Sequence, residues 1–359
     1  MLPLFLLSCS KESATTINGM PEEKGIKTSS VLPFQVTTVW PDSESSQMFE
    51  IQRNAATFLK AKNYDKLDEI AGQLRLSKKC YANGLWSLCY VYAGLELKDT
   101  ASNEEWENQI AALQAWATAK TNSITARVSL ARVLTAYAWK ARGGGYAGTV
   151  TDKGWQLFGE RLNQAKGVLD EAKGLKDKCP VFWTTMMKVA LGLQLDKSNF
   201  NSIFDKAINF APDYQAFYMQ RARYLMPRWN GNQGELESDL EKSADKIGGE
   251  DGDMLYARVV WGIHNEASSE NIFKENGFSW ERVDHGFKII EKRFPDSLAA
   301  IGEHAYLASY AGNRETAREY LKKTEGKADL AVWYYKEGSS TFVVGKRDGM
   351  GLTGRRYDT

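Results

Sequence analysis

This sequence of 359 residues has little net charge, few histidines and few prolines. Lysine and arginine total 46 against 45 aspartates and glutamates, which leaves a formal net charge of +1. Because such a balance produces no long-range positive field, we expect neither nucleic acid nor an anionic membrane surface as a partner. The 8 prolines lie mostly between helical stretches, and this distribution favours an all-α protein.

The three histidines, His264, His285 and His304, form no HExxH motif. They lie in separate predicted helices, and each is within two residues of a carboxylate. Because that arrangement is common on solvated helix faces, we predict structural or surface roles for all three. The sequence therefore indicates no metal site, and no motif points to a cofactor.

Cysteine is also rare, and the three cysteines beyond the N-terminal segment form no CxxC motif: Cys80, Cys89 and Cys179. A continuous helix would hold Cys80 and Cys89 about 13 Å apart along its axis, beyond the roughly 7 Å limit for a disulfide. Gly84 could break that helix, so a disulfide remains an alternative. We predict buried free thiols.

The first ten residues, MLPLFLLSCS, contain a segment that fits a bacterial lipobox, from Leu6 to Cys9. We predict that residues 1–9 are a signal remnant with lipid on Cys9. We further predict that the protein is an outer-membrane lipoprotein of the bacterial cell envelope and faces the periplasm. Ser10, rather than aspartate, favours that membrane. The apolar run is shorter than the roughly 7–15 residues of a secretory signal and has no basic start, as expected if the true start codon lies upstream. A cytoplasmic protein is the alternative.

Composition divides the rest of the chain into three parts. Residues 10–44, rich in Ser, Thr, Lys, Glu and Gly without helical periodicity, are predicted to be a disordered tether. Residues 45–336 are predicted to be one helical domain, and residues 337–359 a flexible C-terminal tail. Strand-like alternation is almost confined to residues 341–344.

A recurring pattern predicts paired helices, and it is clearest at Phe204, Ala207 and Pro212. The aromatic ring packs on a partner helix, the alanine lets the two backbones approach, and the proline ends a helix. Apolar residues three and four positions apart continue this pattern through most of the domain. We predict a right-handed array of antiparallel helical hairpins in which six residues are buried: Trp155, Phe158, Leu162, Leu169, Phe204 and Ile290.

Hairpins of this kind resemble tetratricopeptide (TPR) repeats, although the helix from Phe200 to Phe210 is shorter than a standard second TPR helix. More specific segments are YAWKARGGGYAGTVTDKGWQLFGERL, LGLQLD, YLMPRWNGNQGE, GGEDGDMLYARVVW and RFPDS. They resemble a bacterial family of domains of unknown function, often found in lipoproteins beside TPR-like repeats. The resemblance covers about Phe49 to Leu321. It implies an all-α, TPR-like α-solenoid and carries no activity.

Two loops combine arginine, an aromatic ring and glycine. Arginine can bind a carboxylate and stack on rings, and tryptophan often dominates binding energy. Gly143 to Gly145 lack the neighbouring residues of a phosphate-binding loop. The structural alternative for both loops is that the glycines and Pro227 end helices, while the tryptophan fills the core. We predict a ligand- or partner-binding site at Arg142, Tyr146, Arg228, Trp229 and Asn230.

Another unusual stretch, Gly248 to Asp253, carries three carboxylates on a glycine-rich segment. Calcium prefers such oxygen ligands, but the spacing does not match an EF-hand loop. We predict instead that a helix stops at the glycines and that Asp253 caps the next helix.

Two functions from different classes follow from these patterns. The first is a non-enzymatic helical scaffold whose concave face binds a protein or peptide partner. The alternative is a glycan- or peptidoglycan-active protein with a cleft near Arg228 and Trp229, in which acids such as Glu235 and Asp239 flank the scissile bond. The sequence leaves the partner and the oligomeric state open.

Overall fold

The computed structural model describes residues 37–39, 43–264, 266 and 271–324, together with short strands at 327–329, 336–337, 340–345 and 353–357. The predicted lipidation site at Cys9 lies outside the described residues. So does almost all of the predicted tether.

The described chain is helical throughout its main part, which confirms the prediction of an all-α protein. The helices are α1 (Ser43–Lys60), α2 (Tyr64–Ser77), α3 (Leu88–Ala93), α4 (Asn103–Ala119), α5 (Ile124–Arg142), α6 (Asp152–Ala172), α7 (Pro180–Gly192), α8 (Lys197–Phe210), α9 (Ala216–Tyr224), α10 (Glu235–Ile247), α11 (Gly249–Ile263), α12 (Ile272–Glu275), α13 (Trp280–Arg293), α14 (Leu298–Tyr310) and α15 (Arg314–Lys323). A short 3-10 helix, Ala147–Thr149, lies between α5 and α6.

Short strands flank this helical part. Strand β1 (Thr37–Val39) pairs in parallel with β2 (Lys327–Asp329), so the chain returns to its beginning after α15. The C-terminal strands β3 (Lys336–Glu337), β4 (Ser340–Gly345) and β5 (Thr353–Tyr357) form an antiparallel sheet. The sequence indicated strand alternation at 341–344, within β4, but not the pairing of β4 with β3 and β5.

Local side-chain caps explain where many helices begin. Ser102 and Glu105 form a capping box at α4, in which each side chain accepts a hydrogen bond from the other residue's backbone N–H. Ser123 caps α5 and Thr151 caps α6 without a reciprocal bond: their hydroxyl oxygens accept hydrogen bonds from the backbone N–H groups of Ala126 and Gly154. Pro180 occupies the first position of α7, where its missing N–H costs nothing.

The prediction that Asp253 caps a helix is wrong. Helix α11 begins at Gly249, directly after Gly248, which joins it to α10 with a φ of +76°. Asp253 therefore lies inside α11, and its carboxylate accepts a hydrogen bond of 2.9 Å from Arg282 Nε on α13. The acidic stretch ties two helices together, and the described residues contain no cluster of three or more metal ligands.

Alternate helices form a row through the middle of the domain. Helix α5 packs on α7, α7 on α9 and α9 on α11, and we call these four helices the central row. Helices α6, α8 and α10 each pack against the two members of the row that flank them in sequence. This pairing of neighbours is what stacked hairpins require. The α-solenoid arrangement itself stays a prediction.

The loop between α2 and α3 contacts the central row, although the two are far apart in sequence. Arg258 on α11 donates to the carbonyl of Ala82 at 2.9 Å. Gly84 has a φ of +79°, and a Cβ there would lie 1.4 Å from Gln215 Oε1, so only glycine fits. The loop is therefore held between α3 and the row.

The prediction that the three cysteines are buried free thiols is confirmed in part. Cys80, Cys89 and Cys179 are all free. Cys179 is buried beside the Tyr92 hydroxyl, at 3.2 Å, whereas Cys80 and Cys89 are only partly buried. Because α2 ends at Ser77 and α3 begins at Leu88, Cys80 and Cys89 do not share a helix.

The core confirms burial at five of the six predicted positions: Phe158, Leu162, Leu169, Phe204 and Ile290. Trp155 is the exception, because it lies half-buried at the edge of the core with its ring 5.8 Å from that of Phe158. Elsewhere Gly286 lets α13 approach α11 closely, since a Cβ would lie 2.2 Å from the Asp253 carbonyl oxygen.

Candidate functional site

The first predicted loop begins where α5 ends. Arg142 is the last residue of α5, and Gly143 follows it with a φ of +73°, a conformation that glycine adopts without strain. Arg142 Nη1 donates to the carbonyl oxygens of Gly143 and Gly145, each at 3.1 Å. The guanidinium therefore braces its own loop. Tyr146 extends from this loop with 84% of its surface exposed.

The second predicted loop begins where α9 ends. The backbone N–H of Trp229 donates to the Met226 carbonyl at 2.8 Å, and this bond closes a tight turn after the helix. A Cβ on Gly231 would lie 1.8 Å from the Leu225 carbonyl oxygen, so the turn requires glycine at that position. Trp229 is half-buried as a result, while Arg228 and Asn230 on either side are exposed.

The two loops meet at Arg142 and Trp229. The Arg142 guanidinium carbon lies 5.3 Å from the centre of the Trp229 ring, 5.7 Å from that of Trp139 and 5.6 Å from that of Trp155. The rings of Trp139 and Trp229 pack edge to face, 5.6 Å apart. We call Arg142 and these three tryptophans the tryptophan cluster. It joins residues from α5, α6 and the loop after α9.

The electrostatics of the tryptophan cluster favour a cation. Indole rings attract a guanidinium placed over their faces, an interaction worth about 0.5–2 kcal/mol. Partial burial lowers the pKa of Arg142 but leaves it charged, because arginine titrates far above neutral pH. The indole N–H of Trp139 is buried and has no hydrogen-bond partner in the described part of the chain. The cluster is therefore a half-buried cation among aromatic rings.

Arg228 faces a carboxylate. Its Nη2 atom lies 3.3 Å from Glu266 Oε2, and Arg223 binds the same carboxylate more closely, at 2.8 Å. Burial acts to raise the pKa of Glu266, but the hydrogen bonds from Arg223 together with the positive charges of Arg223 and Arg228 lower it overall. Glu266 thus links Arg228 to the end of α9.

The structure brings Arg142 and Trp229 into contact and leaves Tyr146, Arg228 and Asn230 exposed on the same two loops. Sequence reasoning did not include Trp139 or Trp155 in the site. The signal for Trp139 is its spacing, since it lies three residues before Arg142 on one helix face. No local signal places Trp155 there, because it belongs to the next helix.

A scan against family models matches none of them, and no curated protein matches this chain significantly in sequence. The resemblance to TPR repeats and to a family of domains of unknown function therefore stays a prediction. Within the described ranges, every helix is too short or too polar to cross a membrane.

Proposed function

We propose that the protein is a non-enzymatic helical scaffold that binds a protein or peptide partner at the ends of α5 and α9. The contact between Arg142 and Trp229, at 5.3 Å, carries this proposal because it joins two loops that are distant in sequence. Rigid helices hold both loops, and such loops commonly present binding residues. Tryptophan, tyrosine and arginine are also the residues that most often dominate interface energies.

Each exposed residue offers a distinct contact to a partner. The side chain of Arg228 is 43% exposed and has one hydrogen bond to Glu266, which leaves further N–H donors for a carboxylate or carbonyl. Tyr146 offers a large amphipathic ring and a hydroxyl group. Asn230 offers an amide that can pair with a peptide backbone.

The alternative, a glycan-active protein, needs two facing carboxylates with room for a sugar between them. The acids that sequence reasoning suggested for this role already bind cations. Glu235 pairs with Lys197, and Asp239 accepts two hydrogen bonds from Arg221, at 2.6 and 2.7 Å. This arrangement supports the scaffold better than the enzyme.

Photo-cross-linking tests the proposed surface. A benzoylphenylalanine at Tyr146 is expected to give a discrete adduct in cells, and the same probe at Phe210, an exposed ring on α8, is expected to give none. Adding Arg228→Ala should remove the adduct, because losing one interface hot spot costs about 2 kcal/mol of binding. An unchanged Tm would show that the variant still folds. Equal adducts at both positions, or an adduct that survives Arg228→Ala, would contradict the proposal.

We also propose that the protein is a cell-envelope lipoprotein with lipid on Cys9 and with the residues between Cys9 and β1 as a tether. The lipobox-like segment and the polar composition after it support this proposal. Expressed with its native upstream sequence, the protein should incorporate a fatty-acid analogue, and Cys9→Ser should abolish the labelling. Cys80→Ser is the matched control and should leave it intact. Labelling that persists in Cys9→Ser would rule out this anchor.

A further inference from the structure

The guanidinium of Arg142 uses only part of its hydrogen-bonding capacity. Its Nη1 group donates to the carbonyl oxygens of Gly143 and Gly145, each at 3.1 Å. The Nε and Nη2 groups make no hydrogen bond or ion pair within the part of the chain that the structure describes. Since neither group is among the buried polar atoms that lack a partner, solvent reaches both of them. The side chain therefore has one occupied group and one free edge.

That free edge is the one through which other arginines of this chain bind acids. Arg221 donates to the Asp239 carboxylate from its Nε and Nη2 groups, at 2.7 and 2.6 Å. Arg223 uses the same two groups on Glu266 Oε1, at 3.0 and 2.8 Å. A carboxylate fits this edge because its two oxygen atoms can accept two parallel N–H bonds. Arg142 presents the same edge to solvent, and no acid of the described residues lies on it.

The tryptophan cluster holds this edge in place before a ligand arrives. The three ring centres lie between 5.3 and 5.7 Å from the guanidinium carbon, and the two carbonyl bonds fix the Nη1 group. A side chain that is already held in one geometry loses little conformational entropy on binding. All three rings are half-buried, so part of each remains at the surface. A carboxylate bound to Arg142 would therefore lie beside apolar ring surface.

Charge matching favours a single carboxylate over a phosphate group. Glu266 already accepts hydrogen bonds from Arg223 and Arg228, so of the two arginines on the proposed surface only Arg142 lacks an acid among the described residues. One carboxylate balances its charge, whereas a phosphate group carries about two negative charges at neutral pH. The second charge would lie near indole faces, which carry partial negative charge themselves.

We infer that Arg142 binds the side-chain carboxylate of one aspartate or glutamate of the partner, and that apolar residues flank this acid. This inference rests on the proposed function, because Arg142 lies where the two loops of that surface meet. Tyr146 extends from one loop, and Arg228 and Asn230 lie on the other. A partner that contacts both loops passes over Arg142, so the acid lies within its chain rather than at its end. The half-buried rings of the tryptophan cluster contact the flanking apolar side chains.

Anisotropy measurements with two matched peptides and the full chain test this site. Both are fluorescein-labelled, C-amidated heptapeptides with leucine on each side of the central residue, which is glutamate in one and glutamine in the other. The wild type is expected to bind the glutamate peptide about tenfold more tightly or better, because glutamine loses the charge-assisted hydrogen bonds. Equal affinities, or no binding of the glutamate peptide, would overturn the inference.

Substitution of Arg142 should remove this preference. Arg142→Met is expected to weaken binding of the glutamate peptide about tenfold and to leave the glutamine peptide unchanged, whereas a folding defect would weaken both. Arg142→Lys should recover only part of the preference, since an ammonium group does not form the bidentate pair. The matched control is Arg161→Met, which should keep the full preference: Arg161 also lies over a ring, that of Tyr137 at 3.2 Å, and donates to a backbone carbonyl. A full preference in either variant of Arg142 would contradict the inference.

Two further peptides distinguish the other anions. Phosphoserine in place of the glutamate should weaken binding, and tighter binding would overturn the carboxylate assignment. The glutamine peptide with a free C-terminus should bind no better than its amide. A gain as large as that from glutamate would overturn the assignment to a side chain.

Cross-linking separates this inference from the proposed function. If the glutamate preference depends on Arg142 but the probe at Tyr146 gives no adduct in cells, the proposed partner surface fails and the carboxylate site stands. If the adduct forms and is lost in Arg228→Ala while the two peptides bind equally, the carboxylate site fails and the proposed partner surface stands.

Discussion

Replacing His304 with leucine is expected to lower the free energy of unfolding by about 3–5 kcal/mol, because two largely buried carboxylates each lose a hydrogen-bonded contact. The His304 side chain is 0% exposed and lies between two carboxylates of α13. Its Nδ1 atom is 2.7 Å from Glu291 Oε1, and its Nε2 atom is 3.0 Å from Asp284 Oδ1. The ring therefore contacts both acids, one through each nitrogen atom.

Leucine would leave those two acids without the imidazole ring between them. The side chains of Asp284 and Glu291 are only 18% and 13% exposed, so water replaces the lost hydrogen bonds poorly. Their lysine partners, Lys288 and Lys323, remain on the outer side at 2.7 and 3.6 Å. The variant would also lose the stack of His304 on Phe287, 5.1 Å between ring centres. The pairing of α13 with α14 should weaken first.

Urea unfolding of the wild type and the variant measures this loss. His285→Leu is the matched control, because the His285 side chain is 61% exposed and its removal should cost less than about 1 kcal/mol. A loss at His304 no larger than at His285 would show that the buried pairs do not stabilise the fold.

The second large effect is a loss of stability in mild acid caused by His264. Burial lowers the pKa of His264 from 6.5 to about 4, and a hydrogen bond to the Trp261 carbonyl opposes the shift only in part. The unfolded chain therefore binds a proton more readily than the folded one between those values. The stability is fully present above pH 6.5 and is lost as the pH falls, by about 2 kcal/mol at pH 5.

The aromatic surroundings of His264 explain its low pKa. Its ring stacks on Trp261, with 4.4 Å between ring centres, and packs edge to face with Tyr306 at 5.3 Å. These neighbours exclude the water that a charged imidazolium needs. Phenylalanine should fill the same space without taking up a proton.

The measurement compares the free energy of unfolding at pH 7 and pH 5. The drop should be about 2 kcal/mol smaller for His264→Phe than for the wild type. His285→Gln, a change at an exposed histidine, should keep most of the wild-type drop. Equal drops in wild type and His264→Phe would mean that His264 does not carry this pH dependence.

Local patterns in the sequence predicted most of the helices. The helix expected from Phe200 to Phe210 lies within α8, which also ends at Phe210. Such agreement arises because apolar spacing and end caps act within one or two helical turns. Because these signals act over such short distances, the glycines after α5 and α9 could indicate in the sequence that a helix ends nearby.

Predictions failed where a residue of another helix decided the outcome. Asp253 has the chemistry of a cap, yet it lies inside α11 because Gly248 joins the helices directly and Arg282 binds its carboxylate. For His304 the sequence predicted a structural or surface role, but it did not indicate the two acids that the ring contacts. Its actual partners are Asp284 and Glu291, which lie 20 and 13 residues earlier.

By itself, the sequence determined the all-α class, many of the helix ends and the near-zero net charge. Only the tertiary structure decided that Arg142 meets Trp229, and that His304 lies between Asp284 and Glu291. Apolar periodicity specifies which face of each helix is buried. The distance between residues on different helices depends on how all the intervening helices pack, and no local pattern of residues encodes that.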